Sequence, residues 1–331
     1  MFDTSTRLGT LVDLVNPVMT ASGTAGFSTE LAGYFDMSLL GAFVTKSLAH
    51  FDTKGNAAPR VVGANSAMLN SVGLTGPGIA MWRATHAPRL EKSNIATIVS
   101  IWGRSVGDYG RAIDELDGVG SFVLGLELNV SCPNIEDSNK MFAHSLESLA
   151  EIMDATAHCR LPRFVKLSPN THILMEAIEV VKSRGASGVV LVNTAMGLWL
   201  DPTLLVPSLG AKGGGMSGPS LAPIALRAIY DCHANFADLP IIGVGGISTT
   251  QGAIAALAAG ASAIQIGTAS FVDPRVAAKI ARELPLEIAK AGFASVGDLV
   301  GAAHRGGIAS TRIAGVAHLD GDRKRDSDAS Q

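Results

Sequence analysis

Residues 188–194 read Gly188-Val189-Val190-Leu191-Val192-Asn193-Thr194, an apolar run that ends in two polar side chains. A second run, Pro240–Gly245, contains Ile241-Ile242-Gly243-Val244 and has the same character. Strands of a parallel sheet that is covered on both faces are nearly continuous in apolar residues, unlike the alternating strands of a half-exposed sheet. Both runs therefore predict buried parallel strands.

Similar runs recur along the chain and are separated by segments with helical periodicity. Together they are Pro17–Ser22, Ala42–Ser47, Ile95–Gly103, Gly125–Ser131, Phe164–Ser168, Gly188–Thr194, Pro240–Gly245 and Ala263–Thr268. Eight strands that alternate with helices close a barrel. We therefore predict an α/β fold, a (β/α)8 TIM barrel with insertions in the loops at the C-terminal face of the strands. The alternative with the same elements is an open doubly wound sheet.

Some helix limits can be read directly from the sequence. Leu146, Leu149, Ile152 and Met153 mark one face of a helix before the fifth strand. The next helix has its apolar face at Leu174, Ala177, Ile178 and Val181, and Gly185 is the expected C-terminal cap. Thr249 is the expected N-cap of a later helix that Gly260 ends.

Two connections are too long for simple βα loops: residues 48–94 and residues 195–219. Long loops in a compact fold are usually functional, and both follow strand ends at the face where barrels carry their active sites. We predict one domain over residues 1–318. The polar, charged residues 319–331 predict a disordered tail.

The composition is typical of a protein of a reducing compartment. Of 331 residues, 47% are hydrophobic and 17% charged, and the net charge of −3 favours neither nucleic acid nor an anionic membrane as partner. Cys132, Cys159 and Cys232 form no close pair and no metal-type spacing, so we expect no metal site. No signal peptide or membrane-spanning stretch is recognisable, and we expect a cytoplasmic location.

The strongest local motif is Asn129-Val130-Ser131-Cys132-Pro133-Asn134, at the end of the fourth strand. A cysteine can act as a base or a nucleophile once it is ionised, and asparagines can bind a polar ligand beside it. The alternative for Cys132 is a buried, inert thiol. Its position between polar residues at a strand end favours a catalytic role.

Lys46 and Lys166 each lie at the C-terminal end of an apolar run. A lysine inside a buried strand requires a polar or anionic partner. Two such lysines at one barrel mouth would suit a ligand that gains negative charge. The alternative is a pair of surface lysines whose stems lie on apolar surface.

Glycines follow the last two strands, in Gly243-Val244-Gly245-Gly246-Ile247-Ser248 and Ile266-Gly267-Thr268-Ala269. The loops after strands seven and eight of a barrel commonly bind phosphate through backbone N–H groups. We therefore predict a phosphate site there rather than two ordinary turns. A formal G-x-G-x-x-G match at Gly213–Gly218 is discounted, because it lies in a long insertion and has no acidic partner at the expected spacing.

These motifs together resemble class 1 dihydroorotate dehydrogenases over most of the chain. The resemblance rests on the order and spacing of Ala21-Ser22-Gly23-Thr24, Thr45-Lys46-Ser47, Gly55-Asn56 with Pro59-Arg60, Asn70-Ser71-Val72-Gly73-Leu74, the Cys132 motif, Val165-Lys166-Leu167-Ser168-Pro169, Val192-Asn193-Thr194, Gly215-Met216-Ser217-Gly218-Pro219, Gly245-Gly246-Ile247 and Gly267-Thr268. The family is an FMN-containing barrel that oxidises dihydroorotate to orotate in pyrimidine (UMP) biosynthesis.

The resemblance implies a role for each matching residue. Cys132 would be the catalytic base that takes the proton from C5, while flavin N5 takes the hydride from C6. FMN would contact Ser22, Lys46, Ser47, Asn129, Lys166, Val192, Gly218, Gly245, Gly246, Gly267 and Thr268. The substrate would contact Lys46, Asn70, Ser71, Val72, Gly73, Leu74, Asn129, Asn193 and Thr194.

Within class 1, the segments Met68-Leu69-Asn70 and Gly213–Pro219 are more similar to type 1B. That type implies a homodimer within a heterotetramer, with an FAD and 2Fe–2S electron-transfer subunit that passes electrons to NAD. The loop Ile135–Lys140 departs from it, since type 1B loops usually carry a glycine pair there. The alternatives are the fumarate-linked type 1A homodimer, a related flavin oxidoreductase of dihydropyrimidines, and a non-catalytic barrel that binds a phosphate ligand.

Overall fold

The computed structural model describes residues 2–131, 142 and 145–308. Within them the strands are β1 (Thr6–Leu8), β2 (Val12–Leu14), β3 (Val18–Thr20), β4 (Phe43–Val44), β5 (Val61–Ala64), β6 (Ala67–Asn70), β7 (Thr97–Ile101), β8 (Val123–Asn129), β9 (Arg163–Leu167), β10 (Gly188–Leu191), β11 (Ala195–Gly197), β12 (Gly214–Ser217), β13 (Ile241–Val244) and β14 (Ala263–Ile266). Each of the eight predicted runs overlaps one strand of the main sheet, so the eight strands are confirmed, although β8 and β9 begin one or two residues before the predicted runs.

Helices connect the strands of the main sheet. In the same residues they are α1 (Ile79–Thr85), α2 (Ala87–Lys92), α3 (Val106–Leu116), α4 (Leu146–Ala155), α5 (Leu174–Ser183), α6 (Ala222–Asn235), α7 (Thr250–Ala258), α8 (Val276–Lys290) and α9 (Val296–Leu299). The three predicted limits hold, namely the C-terminal end of α5 and both ends of α7. Gly185 has φ +82° just after α5, and the Thr249 hydroxyl accepts from the N–H of Gly252 at the start of α7. Gly260, with φ +123°, follows α7.

The main sheet is a closed parallel barrel with strand order β3-β14-β13-β10-β9-β8-β7-β4. The two end strands of that order also meet, because Met19 and Ala42 form a parallel bridge. Next to it, the Thr20 hydroxyl accepts from the N–H of Val44 at 2.8 Å. This closure confirms the predicted TIM barrel and rules out the open doubly wound sheet.

A short hairpin of β1 and β2 closes the N-terminal end of the barrel. Its apolar side chains Leu8, Val12 and Leu14 belong to the same buried cluster as the barrel-interior residues Phe164 and Ile242. The Thr6 hydroxyl also donates to the carbonyl of Ser262, just before β14. Among the described residues, the lower half of the barrel is therefore a packed apolar core, and the opening that they leave for a ligand lies at the opposite end of the axis.

The two long connections pair with each other. The first contributes β5 and β6 and the second β11 and β12, and they form one antiparallel sheet of order β11-β12-β6-β5. In that sheet Leu69 is the partner of Met216, although the two residues are far apart in the sequence. The insertions therefore form an ordered antiparallel sheet at the C-terminal end of the barrel, whereas the sequence indicated only long loops.

Some predictions concern residues beyond the described part of the chain. The tail at 319–331 lies outside the described residues, and the domain limits 1–318 stay a prediction. None of the helices in the described ranges is long and apolar enough to cross a membrane. Across the same ranges, no cluster of three or more His, Cys, Asp or Glu side chains could hold a metal ion.

Candidate active site

A cavity of about 920 Å³ opens at the C-terminal ends of the barrel strands, beneath the four-stranded sheet. Every residue to which the resemblance assigns FMN or substrate contact lines this cavity. Cys132 lies outside the described residues, but its neighbour Ser131 lines the cavity. The structure thus brings together residues that are spread from Ser22 to Thr268.

The amide groups of the cavity form a connected cluster. Asn129, at the end of β8, donates from its side chain to the Ser47 hydroxyl at 3.2 Å. Asn193 donates to the side-chain oxygen of Asn129, also at 3.2 Å. The buried Tyr109 hydroxyl donates to the Asn129 carbonyl at 2.8 Å, which fixes the strand end from below. These contacts orient two amides toward the space that a small polar ring would fill.

Lys46 follows β4 and is half-buried at the same mouth. Its ammonium donates to the carbonyl of Thr75 and lies 5.3 Å from the centre of the Phe27 ring. Burial, and then the charge of Arg60, lower the pKa of Lys46 to about 8. A cation in this position would be neutralised by an anionic ligand.

Lys166 lies on β9 and is almost fully buried, with 4% of its side chain exposed. Its ammonium donates to the Ser22 hydroxyl at 3.0 Å and lies 3.6 Å from a carboxylate oxygen of Glu127. Glu127 also accepts from Ser100 at 3.1 Å and from Gln265 at 2.7 Å. Glu127 and Gln265 were not among the predicted site residues, although each is a polar residue inside an apolar run, which is the pattern that indicated the lysines.

The segment from Asn70 to Leu74 runs along one wall of the cavity. Asn70 donates to the Gly215 carbonyl at 3.3 Å, and the Asn56 amide donates to the Ser71 hydroxyl at 2.8 Å. Gly73 has φ +75°, and a Cβ there would lie 2.5 Å from the backbone nitrogen of Asn56. The segment is therefore held against its neighbours, and its shape depends on a glycine.

The glycines that follow β13 and β14 also line the cavity. Gly245 and Gly246 have φ of +132° and +71°, and a Cβ on Gly246 would lie 2.6 Å from the nitrogen of Ala222, the first residue of α6. Beyond β14, the Thr268 hydroxyl donates to Ser217 at 2.8 Å. Backbone N–H groups at such turns and helix starts bind anions. We call Gly218, Gly245, Gly246, Gly267 and Thr268 the glycine cradle, and it fits a phosphate monoester.

The formal G-x-G-x-x-G match at Gly213–Gly218 is not a dinucleotide turn. Residues Gly214–Ser217 form β12 of the antiparallel sheet instead of a turn from a parallel strand into a helix. The prediction that this match does not bind a dinucleotide through a strand-to-helix turn is therefore confirmed. Gly218 lines the cavity together with Gly213, Gly214 and Gly215 of the same stretch.

Comparison with known proteins identifies the family to which this chain belongs. The sequence profile described as Dihydroorotate dehydrogenase matches residues 8–288. The chain belongs to the dihydroorotate dehydrogenase family. Its members are oxidoreductases, and the family is flavin-dependent in general. The family, the fold and the enzyme class predicted from the sequence are thereby confirmed.

Relatives within the dihydroorotate dehydrogenase family carry two kinds of name. The chain is 38% identical over 295 residues to "Dihydroorotate dehydrogenase B (NAD(+)), catalytic subunit" of Desulforudis audaxviator, which covers 89% of this chain and 95% of that one. The protein of the same name from Geotalea uraniireducens is 37% identical over 292 residues, covering 88% and 95%. The Aquifex aeolicus protein named "Putative dihydroorotate dehydrogenase A (fumarate)" is 38% identical over 292 residues, with the same coverage.

Proposed function

We propose that this chain oxidises dihydroorotate to orotate in pyrimidine biosynthesis, with FMN as its cofactor. The observation that carries the proposal is the convergence of all the described candidate residues on one cavity of about 920 Å³. Such a volume accommodates a flavin together with a small ring. The lysines and asparagines supply charge and hydrogen bonds suited to an anionic, amide-containing substrate.

The cofactor part of the proposal rests on the glycine cradle. Gly218, Gly245, Gly246, Gly267 and Thr268 line one side of the cavity and would hold a single phosphate. Other residues of the same cavity would contact the ring system: Ser22, Lys46, Ser47, Asn129, Lys166 and Val192. Bound FMN would supply the hydride acceptor, which no protein side chain can provide.

The chain's own residues would supply the acid–base chemistry and the orientation. Cys132 would take the proton from C5 of the substrate as its thiolate. Asn129 and Asn193, already joined by a hydrogen bond, would hold the amide groups of the ring. Lys46 would bind the substrate carboxylate, and the ammonium of Lys166 would stabilise negative charge that develops on the neighbouring ring system. The segment from Asn70 to Leu74 would close the substrate side.

The names of the relatives and the similarity to type 1B support one electron acceptor over the other. We propose that electrons pass to NAD through a partner subunit that carries FAD and a 2Fe–2S cluster, and that two copies of this chain form a homodimer within a heterotetramer. The proposed location is the cytoplasm. The name of the Aquifex aeolicus relative favours fumarate as the second candidate acceptor.

The test is an absorbance spectrum of the purified chain before and after anaerobic addition of dihydroorotate. We expect a flavin spectrum, one FMN per chain, and bleaching by dihydroorotate that orotate inhibits. Bleaching by dihydrouracil without competition from orotate would favour a related dihydropyrimidine oxidoreductase. A colourless protein after expression with ample riboflavin would favour a non-catalytic phosphate-binding barrel and refute the proposal.

A further inference from the structure

One layer of the barrel interior is polar, directly above the apolar core. Ile98, Phe164 and Ala263 belong to the buried apolar cluster of the barrel interior. Side chains two residues apart on a strand point to the same face, so Ser100, Lys166 and Gln265 form the next layer toward the mouth. Glu127 of β8 completes this layer through its contacts with all three. The carboxylate of Glu127 therefore lies inside the barrel, below the cavity.

The contacts of Glu127 are those of a fixed, balanced charge. The side chain is 0% exposed. One oxygen accepts from Ser100 and lies 3.6 Å from the ammonium of Lys166, and the other accepts from Gln265 at 2.7 Å. A buried carboxylate is costly unless it is paired with a cation and hydrogen-bonded, and both conditions hold here.

Lys166 lines the cavity, whereas Glu127 and Ser100 do not. A ligand in the cavity would therefore contact the cation and not the anion behind it. Opposite charges 3.6 Å apart partly cancel at any point beyond them. The field that Lys166 exerts on the cavity is thus reduced by a residue that the ligand never touches.

We propose that Glu127 is a positioning residue that offsets the charge of Lys166 and so sets the reduction potential of the bound flavin, an inference that rests on the proposed function. Lys166 alone would favour the negatively charged reduced ring strongly. With Glu127 behind it, the stabilisation is smaller, and the reduced flavin remains able to pass its electrons on. Gln265 and Ser100 hold the carboxylate in the orientation that this balance requires.

The first test is Glu127→Gln, with the midpoint potential of bound FMN as the readout. We expect the reduced form to be favoured at least tenfold more than in the parent protein, an upward shift of about 30 mV for a two-electron couple. The matched control is Glu127→Asp, which keeps the charge, and its potential should stay within about threefold of the parent, or roughly 14 mV. An unchanged potential in Glu127→Gln, with FMN bound, would overturn the proposal.

A second comparison measures the same midpoint potential without the Glu127→Gln single variant. Lys166→Met leaves the carboxylate without its cation and should lower the potential, while Glu127→Gln combined with Lys166→Met removes both charges and should restore most of the loss. A double variant with a potential as low as that of Lys166→Met would show that Glu127 offsets nothing. Loss of FMN from all three variants would assign the pair to folding alone and would equally overturn the proposal.

FMN content separates this inference from the proposed function. The dissociation constant of FMN is measured by quenching of flavin fluorescence on titration into the flavin-free parent protein. Failure of the parent to bind FMN would refute the proposed function itself. Normal FMN binding with a midpoint potential that does not change when Glu127 is replaced would refute only the inference about that residue.

Discussion

Gly246→Ala tests the glycine cradle through a clash that the structure defines. The residue has φ +71°, where an L-residue costs about 1–2 kcal/mol relative to glycine. The new Cβ would lie 2.6 Å from both the nitrogen and the Cβ of Ala222, and such overpacking typically costs about 1–3 kcal/mol. The total expected cost is therefore about 2–5 kcal/mol.

That cost should appear in one of two measurements. If the loop keeps its shape, the free energy of unfolding of the flavin-free protein falls by the full amount. If the loop moves away from α6 and returns only on binding, the dissociation constant of FMN rises by at least about 30-fold, since 1.4 kcal/mol corresponds to tenfold. Denaturant unfolding and fluorescence titration measure the two losses, and their sum should match the estimate.

Gly252→Ala is the matched control, because it lies in α7 a short distance along the same chain segment. Its Cβ would meet nothing closer than the Thr249 hydroxyl at 3.5 Å, and alanine in a helix is more stable than glycine by about 0.5–1 kcal/mol. We expect unchanged FMN binding and slightly higher stability. If Gly246→Ala behaves like this control, the backbone of the cradle does not hold the phosphate as described.

Further predictions concern the reaction itself. Cys132→Ala should slow the anaerobic bleaching of the flavin by dihydroorotate by about 10²–10⁴-fold with FMN content unchanged, and near-normal single-turnover rates would remove Cys132 from the mechanism. Lys166→Ala should lower the midpoint potential of FMN, and an equal or higher potential with FMN bound would contradict its role. Because the pKa of Lys46 is lowered to about 8, its cation is lost as pH rises through that value, so orotate affinity should fall by up to about tenfold per pH unit above it. Titrations across that range should show this fall, and Lys46→Gln should bind weakly without it. The isolated chain should reduce an artificial dye but neither NAD nor fumarate at a high rate, and fast fumarate turnover in a steady-state assay would identify the fumarate-linked type instead.

The barrel could be predicted from the sequence because buried parallel strands leave a strong local signal. Runs such as Val189-Val190-Leu191-Val192 predict a strand even when the neighbouring strands in the sheet are not known. The hairpin of β1 and β2 was missed because strands of three residues hold too few positions to show a period. The pairing of Leu69 with Met216 was missed because it joins two insertions, and local patterns do not encode such contacts.

The candidate site divides in the same way. Lysines at strand ends and glycines in consecutive turns can be recognised one segment at a time, and the structure places them around one cavity. The contact of Glu127 with Lys166 depends instead on the register between β8 and β9, in which Asn129 pairs with Lys166. Register is a property of the assembled sheet, so the polar layer becomes visible only in three dimensions.

The hairpin under the barrel has a kinetic consequence. Because it closes one end of the axis, dihydroorotate, orotate and a small electron acceptor would share the opening that the described residues leave at the other end. A diffusing acceptor such as fumarate could enter only after the product had left, which gives ping-pong kinetics and inhibition by excess substrate. An acceptor subunit that takes electrons from outside the cavity would be free of that competition, so the inhibition pattern reports how electrons leave the protein.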